Sequence, residues 1–297
     1  MAVRRTGISD EFTILNSSGT DITDKLGPLN TISWTINKNT EKQASVGQQP
    51  DFVEIVDGVV DIQIDITVDA PTLEVINVLT DGLADQLPEF TVKIPITTKS
   101  GEEETLEISG AKFEASLEIT DEEIVSADFS GIARECETTT EALSTSEPDN
   151  RKPLTFMDVN FEIESEEIEA GDSFSIDFNR QLQGERGIKP VSSESQRPFY
   201  DEIIEGMKDY SGTLDFQITD DMATKHFFDD ATDAKQFSGS QRTLINEIKV
   251  IDDKNSLELV LSDCQFEEIS SSQEQDTEVR VISSAFDALD ATIQSTV

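Results

Sequence analysis

Alternation of apolar and polar residues is the feature that most constrains this chain. Val60, Ile62, Ile64 and Ile66 alternate with Asp61, Gln63, Asp65 and Thr67. Leu214, Phe216 and Ile218 alternate with Asp215, Gln217 and Thr219. A period of two sends one set of side chains into a core and the other into water, so both stretches read as half-buried strands. They also resemble one another: Gly58-Val-Val-Asp-Ile-Gln-Ile64 matches Gly212-Thr-Leu-Asp-Phe-Gln-Ile218. Upstream, Ile32-Ser-Trp-Thr-Ile-Asn-Lys38 matches Phe174-Ser-Ile-Asp-Phe-Asn-Arg180. Downstream, Leu106-Glu-Ile-Ser-Gly-Ala-Lys-Phe-Glu114 matches Leu259-Val-Leu-Ser-Asp-Cys-Gln-Phe-Glu267. The three spacings are 154, 142 and 153 residues in that order. Collinear matches of this kind predict one β-rich module built twice.

Turn residues, not long helices, separate most of these strands, which predicts antiparallel pairing. Thr97–Gly101 marks a hairpin between Phe90–Ile96 and Glu104–Ile108, and Asp252–Asn255 marks its counterpart between Ile245–Ile251 and Leu257–Leu261. One short helix per unit is expected, at Pro71–Leu79 and Asp221–Phe228. The stretch Glu135–Pro153 is polar and reads as a linker, giving units at 1–135 and 155–297 with the linker at 136–154. Trp34 reads as core of the first unit, aligned with Ile176 of the second. Two segments are too long for ordinary hairpin loops: Asn39–Asp57 and Gln181–Ser211, of 19 and 31 residues. Standing at one topological place in each unit, they read as contact arms. Their apolar residues Val46, Phe52, Val53 and Ile55 in the first, and Pro198, Phe199, Tyr200, Ile203 and Ile204 in the second, are the expected anchors.

Charge narrows the choice of partner. Lys and Arg number 22 against 62 Asp and Glu, a formal net charge of −40 on 297 residues. Only nine of the cations fall in residues 1–150 and thirteen in 151–297, so neither half has a basic face. That excludes a free-standing nucleic-acid binder and disfavours an anionic membrane surface. No apolar run reaches the roughly 18 residues of a membrane span, and the N-terminus lacks the apolar core of a signal peptide. An acid-rich, Lys-poor surface is that of a halophile, whose salt screens the repulsion. Cys136 and Cys264 are two isolated thiols and do not suggest a disulfide framework.

Chemistry-bearing patterns are absent. The single histidine, His226 in Thr-Lys-His-Phe-Phe, sits in the second helix candidate and reads as a packing residue. No serine has a Gly-x-Ser-x-Gly elbow, and there is no phosphate-binding glycine loop, dinucleotide fingerprint or Cys/His cluster of zinc spacing. Acidic clusters such as Asp229–Asp233 lack the calcium-loop spacing. Asn16-Ser-Ser18 is a glycosylation sequon in an exposed N-terminal segment. No catalytic, cofactor or metal residues are therefore assigned.

These residues resemble, over most of both units, the tail tube proteins of long-tailed viruses. A strand ending in Asn-Lys or Asn-Arg (Thr35–Lys38; Asp177–Arg180) leads into a long loop. A glycine-started amphipathic strand follows (Gly58–Val68; Gly212–Thr219), then a short helix and a hairpin. The unit closes with Leu106–Ile119, an acidic turn at Thr120–Glu123, and Ile124–Ala133. In the second unit the closing region Ile269–Ala288 departs from the first, leaving its register open by one residue. The resemblance implies a mainly β fold of two tandem sandwich or barrel units, each with a flanking helix and an inter-strand arm. It further implies three chains per pseudo-hexameric ring and rings stacked into a tube in the virion tail, made in the host cytoplasm, with no membrane involved. The host would be a halophilic archaeon. Partners would be other copies of the chain, a tape measure protein and tail-end proteins, with DNA only as passing cargo. The faces carrying Asp61, Gln63, Asp65, Asp215, Gln217 and Thr219 would then line either the lumen or the outer wall. Distal tail, baseplate and terminator rings are built from the same unit and form one alternative. A haloarchaeal two-domain β surface or ligand-binding protein is another, and an enzyme is a weak third.

The charge excess gives a direct expectation. Raising salt from about 0.1 M to about 1 M shortens the Debye length from roughly 10 to 3 Å, and the thermal midpoint of the purified chain should rise across that range. A midpoint that falls would remove the halophilic reading.

Overall fold

The computed structural model describes residues 3–9, 11–27, 29–44, 52–81, 86–97, 103–120, 124–140, 143, 152–168, 170–185, 199–218, 244–273 and 280–295. The fold is mainly β, as expected. The first half holds β1 (Val3–Ser9), β2 (Thr13–Leu15), β3 (Leu29–Ala44), β4 (Phe52–Asp69), α1 (Glu74–Thr80), β5 (Phe90–Thr97), β6 (Glu103–Thr120), β7 (Ser126–Ile132) and β8 (Glu135–Thr139). The second holds β9 (Val159–Ile163), β10 (Glu166–Glu167), β11 (Ala170–Asn179), β12 (Gln183–Glu185), β13 (Glu202–Ile204) and β14 (Asp209–Ile218). It ends with β15 (Leu244–Asp252), β16 (Leu257–Gln273), β17 (Arg280–Ala288) and β18 (Asp290–Ser295). Every ladder between these strands is antiparallel. The second helix candidate, 221–228, and His226 lie outside the described residues.

The strand order β3-β4-β7-β6 continues directly into β11-β14-β17-β16. The join is a backbone ladder between β6 and β11 that runs from Thr120 opposite Ser173 to Ala115 opposite Phe178. Apolar residues seal it from one side: Leu117, Ile119, Phe174, Ile176 and Phe178 are all buried in a single core cluster that draws on both halves. A second contact locks the halves together. Asp252, fully buried at the end of β15, accepts from the Leu73 backbone N–H just ahead of α1 (3.3 Å) and from the Asn255 amide (2.8 Å). The Asn255 amide also donates to the Pro71 carbonyl.

β6 and β16 divide their pairing partners in a similar way. β6 pairs with β5 and β8 along its first part and with β7 along its second. β16 does the same with β15, β18 and β17. Each of these strands has a residue with positive φ close to where its partners change, Gly110 at 64° and Asp263 at 52°. These two residues are aligned in the sequence match. Glycine accepts this conformation freely; Asp adopts it at a cost.

One sequence match is displaced in the structure. Trp34 faces Ile64 across the ladder, while Ile176 faces Gly212. The positional counterpart of Gly212 is thus Ile64 and not Gly58, a slip of six residues. A period-two pattern matches itself at any even slip and keeps every side chain on its proper face. At this position the halves divide volume differently. Ile64 faces Gly131, whereas Gly212 faces Phe286. The open register of the closing region is explained by a bulge between Phe266 and Glu268, which adds one residue to β16 relative to β17.

The first arm is not a loop. β3 and β4 continue as a paired ribbon, from Thr40 opposite Asp57 to Ala44 opposite Phe52. Register shifts after Lys38 and after Gln43 change the phase of alternation, which hides the strands from a period-two reading. β1 accompanies β3 only at Ile32–Lys38 and β7 accompanies β4 only from Gln63 onward. Among the described residues the ribbon therefore extends past its neighbours. Phe52, Val53 and Ile55 lie in β4, and Val46 lies outside the described residues.

The expected linker also differs at its start. Residues 135–139 form β8, paired with β6, so Cys136 is in a strand. At its end, Leu154 is buried and bonds to Ala70 and Val125 of the first half. Helix α1 begins three residues after Pro71, with the Thr72 hydroxyl accepting from the Glu74 N–H at 2.7 Å. Trp34 is half-buried against the core while Ile176 is fully buried. Cys264 is buried, and burial pushes its thiol up to about 12.

A methyl group at Gly212 would sit 2.2 Å from the Ser175 carbonyl and 2.8 Å from the Phe286 ring. Gly212→Ala should therefore cost about 1–3 kcal/mol in denaturant unfolding. Asp263→Gly, which relieves the left-handed backbone, should gain up to about 1 kcal/mol. Unchanged midpoints for both would contradict the register described.

Candidate functional site

The candidate site is the wet face of the eight-stranded sheet from β3 to β16. Burial alternates as the sequence predicts: Val60, Ile62, Ile64 and Ile66 are buried, Gln63 and Asp65 are exposed, and Asp61 is half-buried. In β14, Leu214 and Phe216 are buried, Thr213 is exposed and Asp215 is half-buried. Gln217 belongs to β14, and Thr219 lies outside the described residues.

Cross-strand pairing extends this face over the whole sheet. Asp65 stands between Ser33 and Ser130, Glu118 between Ser126 and Ser175, and Asp215 between Ser173 and Ser283. Hydroxyl groups answer the carboxylates: Ser173 donates to Asp215 at 2.8 Å, Thr67 donates to Asp128, and the Asn39 amide donates to Asp61 at 2.8 Å. Lys112 stands on this face in line with Glu114, Ser116 and Glu118 of the same strand. Burial first, and the Asp209 charge second, push the Asp177 carboxyl above its usual range.

The second arm behaves unlike the first. It folds back onto this face of its own chain. β12 and β13 pair as a short hairpin, Gln183 opposite Ile204 and Glu185 opposite Glu202. Ile203 is 2% exposed and Phe199 packs against the core, so neither is a free anchor. Tyr200 lies over Gly184 and donates its phenol O–H to Asp61. Glu205 pairs with Lys112 at 2.6 Å, with both side chains almost buried, and its other oxygen accepts from the Leu87 N–H at 3.0 Å. Glu114 accepts from the Arg180 and Leu182 backbone N–H groups at 2.7 and 3.3 Å. The physical reason is charge: the cation on an acidic sheet recruits a carboxylate, and Glu205 brings the segment with it. Ile204 (39% exposed) and Met207 (78% exposed) point outward from the same segment. Pro198 lies outside the described residues.

Between the arm and the sheet lies an open recess that includes Gln63, Asp65, Glu114, Ser130 and Leu182. Its lining has no nucleophile–base pair. Among the described residues no group of three or more His, Cys, Asp or Glu side chains is placed to hold a metal ion, and no helix is long and apolar enough to cross a membrane. Asn16 lies in a turn, its side-chain oxygen accepting from the Ser18 and Thr20 N–H groups. Lys112, Glu205 and Met207 were missed by sequence reasoning. The signal for Lys112 was present, as the lone cation among Glu114, Ser116 and Glu118 on one side of a strand. The partner of Lys112 lies 93 residues away and has no local signature.

No family model matches the chain, and no curated protein matches its sequence.

Burial and the bond to Asp61 push the Tyr200 phenol up to about 12 from 10.0. The folded form thus holds this proton more tightly than the unfolded chain. Its stabilising contribution is complete below about pH 10 and lost as pH rises toward 12. With only two tyrosines, Tyr200 and Tyr210, tyrosinate absorbance is assignable. Tyr200→Phe should remove an alkaline step that the parent chain shows above pH 10, and should cost about 1 kcal/mol at neutral pH. Identical alkaline profiles would place Tyr200 away from Asp61.

Proposed function

We propose that this chain is a non-enzymatic structural protein of a viral tail, of the tail tube type. Its copies would close into rings, and the rings would stack into a tube that passes DNA. The observation that supports this most directly is the unbroken sheet β3-β4-β7-β6-β11-β14-β17-β16, with the same partner order in each half and one acidic wet face. A module joined to a copy of itself by a backbone ladder has a ready pattern for joining further copies, and ring closure removes the sheet edges that would otherwise aggregate. On this reading the chain supplies two of six units, so three chains complete a ring.

The wet face suits a lumen. A channel for DNA must not hold phosphate, and a surface of Asp, Glu, Ser and Thr with its cation already paired repels it. Asp61, Gln63, Asp65, Asp215, Gln217 and Thr219 belong to this lining in the proposal. The ribbon that carries Phe52, Val53 and Ile55 is the arm that reaches the next ring, Val46 being assigned to this contact from the sequence alone, and Ile204 and Met207 add apolar contacts. Phe199, Tyr200 and Ile203 take a different role, holding the second arm to its own sheet. A tape measure protein and tail-end proteins would be the further partners, and the site of action the virion of a virus from a saline habitat.

Electron microscopy of the purified chain in molar salt tests the reading. Rings or hollow tubes of uniform diameter, with three chains per ring, are expected. Monodisperse single chains at high concentration across all salt conditions would overturn it. Shortening the ribbon by removing 42–54 should leave rings that no longer stack.

A further inference from the structure

Resting on the ring reading above, we propose that the outer edge of β3 is the seat for the last part of β16 from a second copy of this chain. β1 holds that seat until the copy arrives. The chain contains its own template for the contact. β11 lies between β14 and β6, while β3, which corresponds to it, lies between β4 and β1. β1 therefore stands on β3 where β6 stands on β11. The registers coincide: Phe174, Ile176 and Phe178 face Ile119, Leu117 and Ala115. Ile32, Trp34 and Ile36 face Ser9, Gly7 and Arg5.

The two covers are not equal. Next to β6, Ile176 and Phe178 are 1% and 2% exposed. Next to β1, Ile32 is fully buried but Trp34 and Ile36 stay only half-buried. Where β6 has Leu117, β1 has Gly7 at the position facing Trp34, and a glycine inside a strand weakens it. Such a strand is enough to keep an edge from indiscriminate pairing and weak enough to be exchanged.

The far end of the sheet supplies the matching strand. Ala115–Thr120 of β6 pair with β11 as well as lying beside β7. Glu268–Gln273 of β16 pair with β17 alone among the described residues. Carrying the β6–β11 register across, with the bulge after Phe266 included, sets Ile269 opposite Ile36, Ser271 opposite Trp34 and Gln273 opposite Ile32 of the next copy. Strand addition of this kind satisfies the backbone groups of both edges at once.

A reversible lock tests the exchange. Thr6 faces Thr35 across the β1–β3 ladder, so Thr6→Cys with Thr35→Cys, in a Cys136→Ser background, can be oxidised to hold β1 in place. In molar salt the oxidised form should stay as single chains by light scattering and microscopy, and reduction should restore assembly. Removal of residues 1–9 should lower the concentration at which assembly begins by at least about tenfold, equivalent to about 1.4 kcal/mol. In assembled parent-like rings, Ile36→Cys with Ile269→Cys should give covalent chain-to-chain links. Rings formed by the locked protein with its disulfide intact would overturn the role of β1 alone. Assembled rings that yield no 36-to-269 link would overturn the edge assignment. If parent and truncated chains both remain single at all salt concentrations, the ring reading itself fails.

Discussion

The backbone ladder between β6 and β11 is the interaction on which the remainder of the structure depends. It joins the strands of the two halves into one continuous sheet. Its hydrogen bonds are directional but individually worth little net of water. What makes the seam durable is the apolar row beneath it, Leu117 and Ile119 interleaved with Phe174, Ile176 and Phe178. Removing those side chains from water supplies the larger part of the stabilisation. Asp252, buried at the N-terminal side of α1, then fixes the second half against the first at a separate place.

From that seam follows the character of both surfaces. A continuous ladder forces every strand to present the same parity to the same side, so one side collects the core and the other collects Asp, Glu, Ser and Thr. On such a face a cation is conspicuous. Lys112 draws Glu205 out of a distant segment, and with it Tyr200 comes to lie against Asp61. The second arm is thereby spent on its own chain, and the first is left to project. The second segment folds back because it contains Glu205, the partner of Lys112.

Much of the fold was legible in the residues. The strands around Val60–Ile66 and Leu214–Ile218, the hairpins ending at Thr97 and Asp252, and the helix after Pro71 all announce themselves by period or by turn chemistry. The paired ribbon of 40–44 with 52–57 did not, because bulges after Lys38 and Gln43 break its phase. The match of Gly58 with Gly212 was misleading by six residues, since alternating sequences cannot distinguish even slips. The exchange of volume between Ile64–Gly131 and Gly212–Phe286 reveals the true register, and that exchange exists only between strands distant in sequence.

Sequence by itself determined that the chain is mainly β, that its strands bury one face, and that it carries a net charge of −40. Those properties are local or additive: alternation acts within a few residues, and charge is a sum. Tertiary structure decided which residues face each other, which arm is free, and that β1 rather than β6 or its like covers the edge of β3. These depend on pairing across 90 residues or more, where the free energy lies in ladders and packed side chains and no short stretch of residues carries the information.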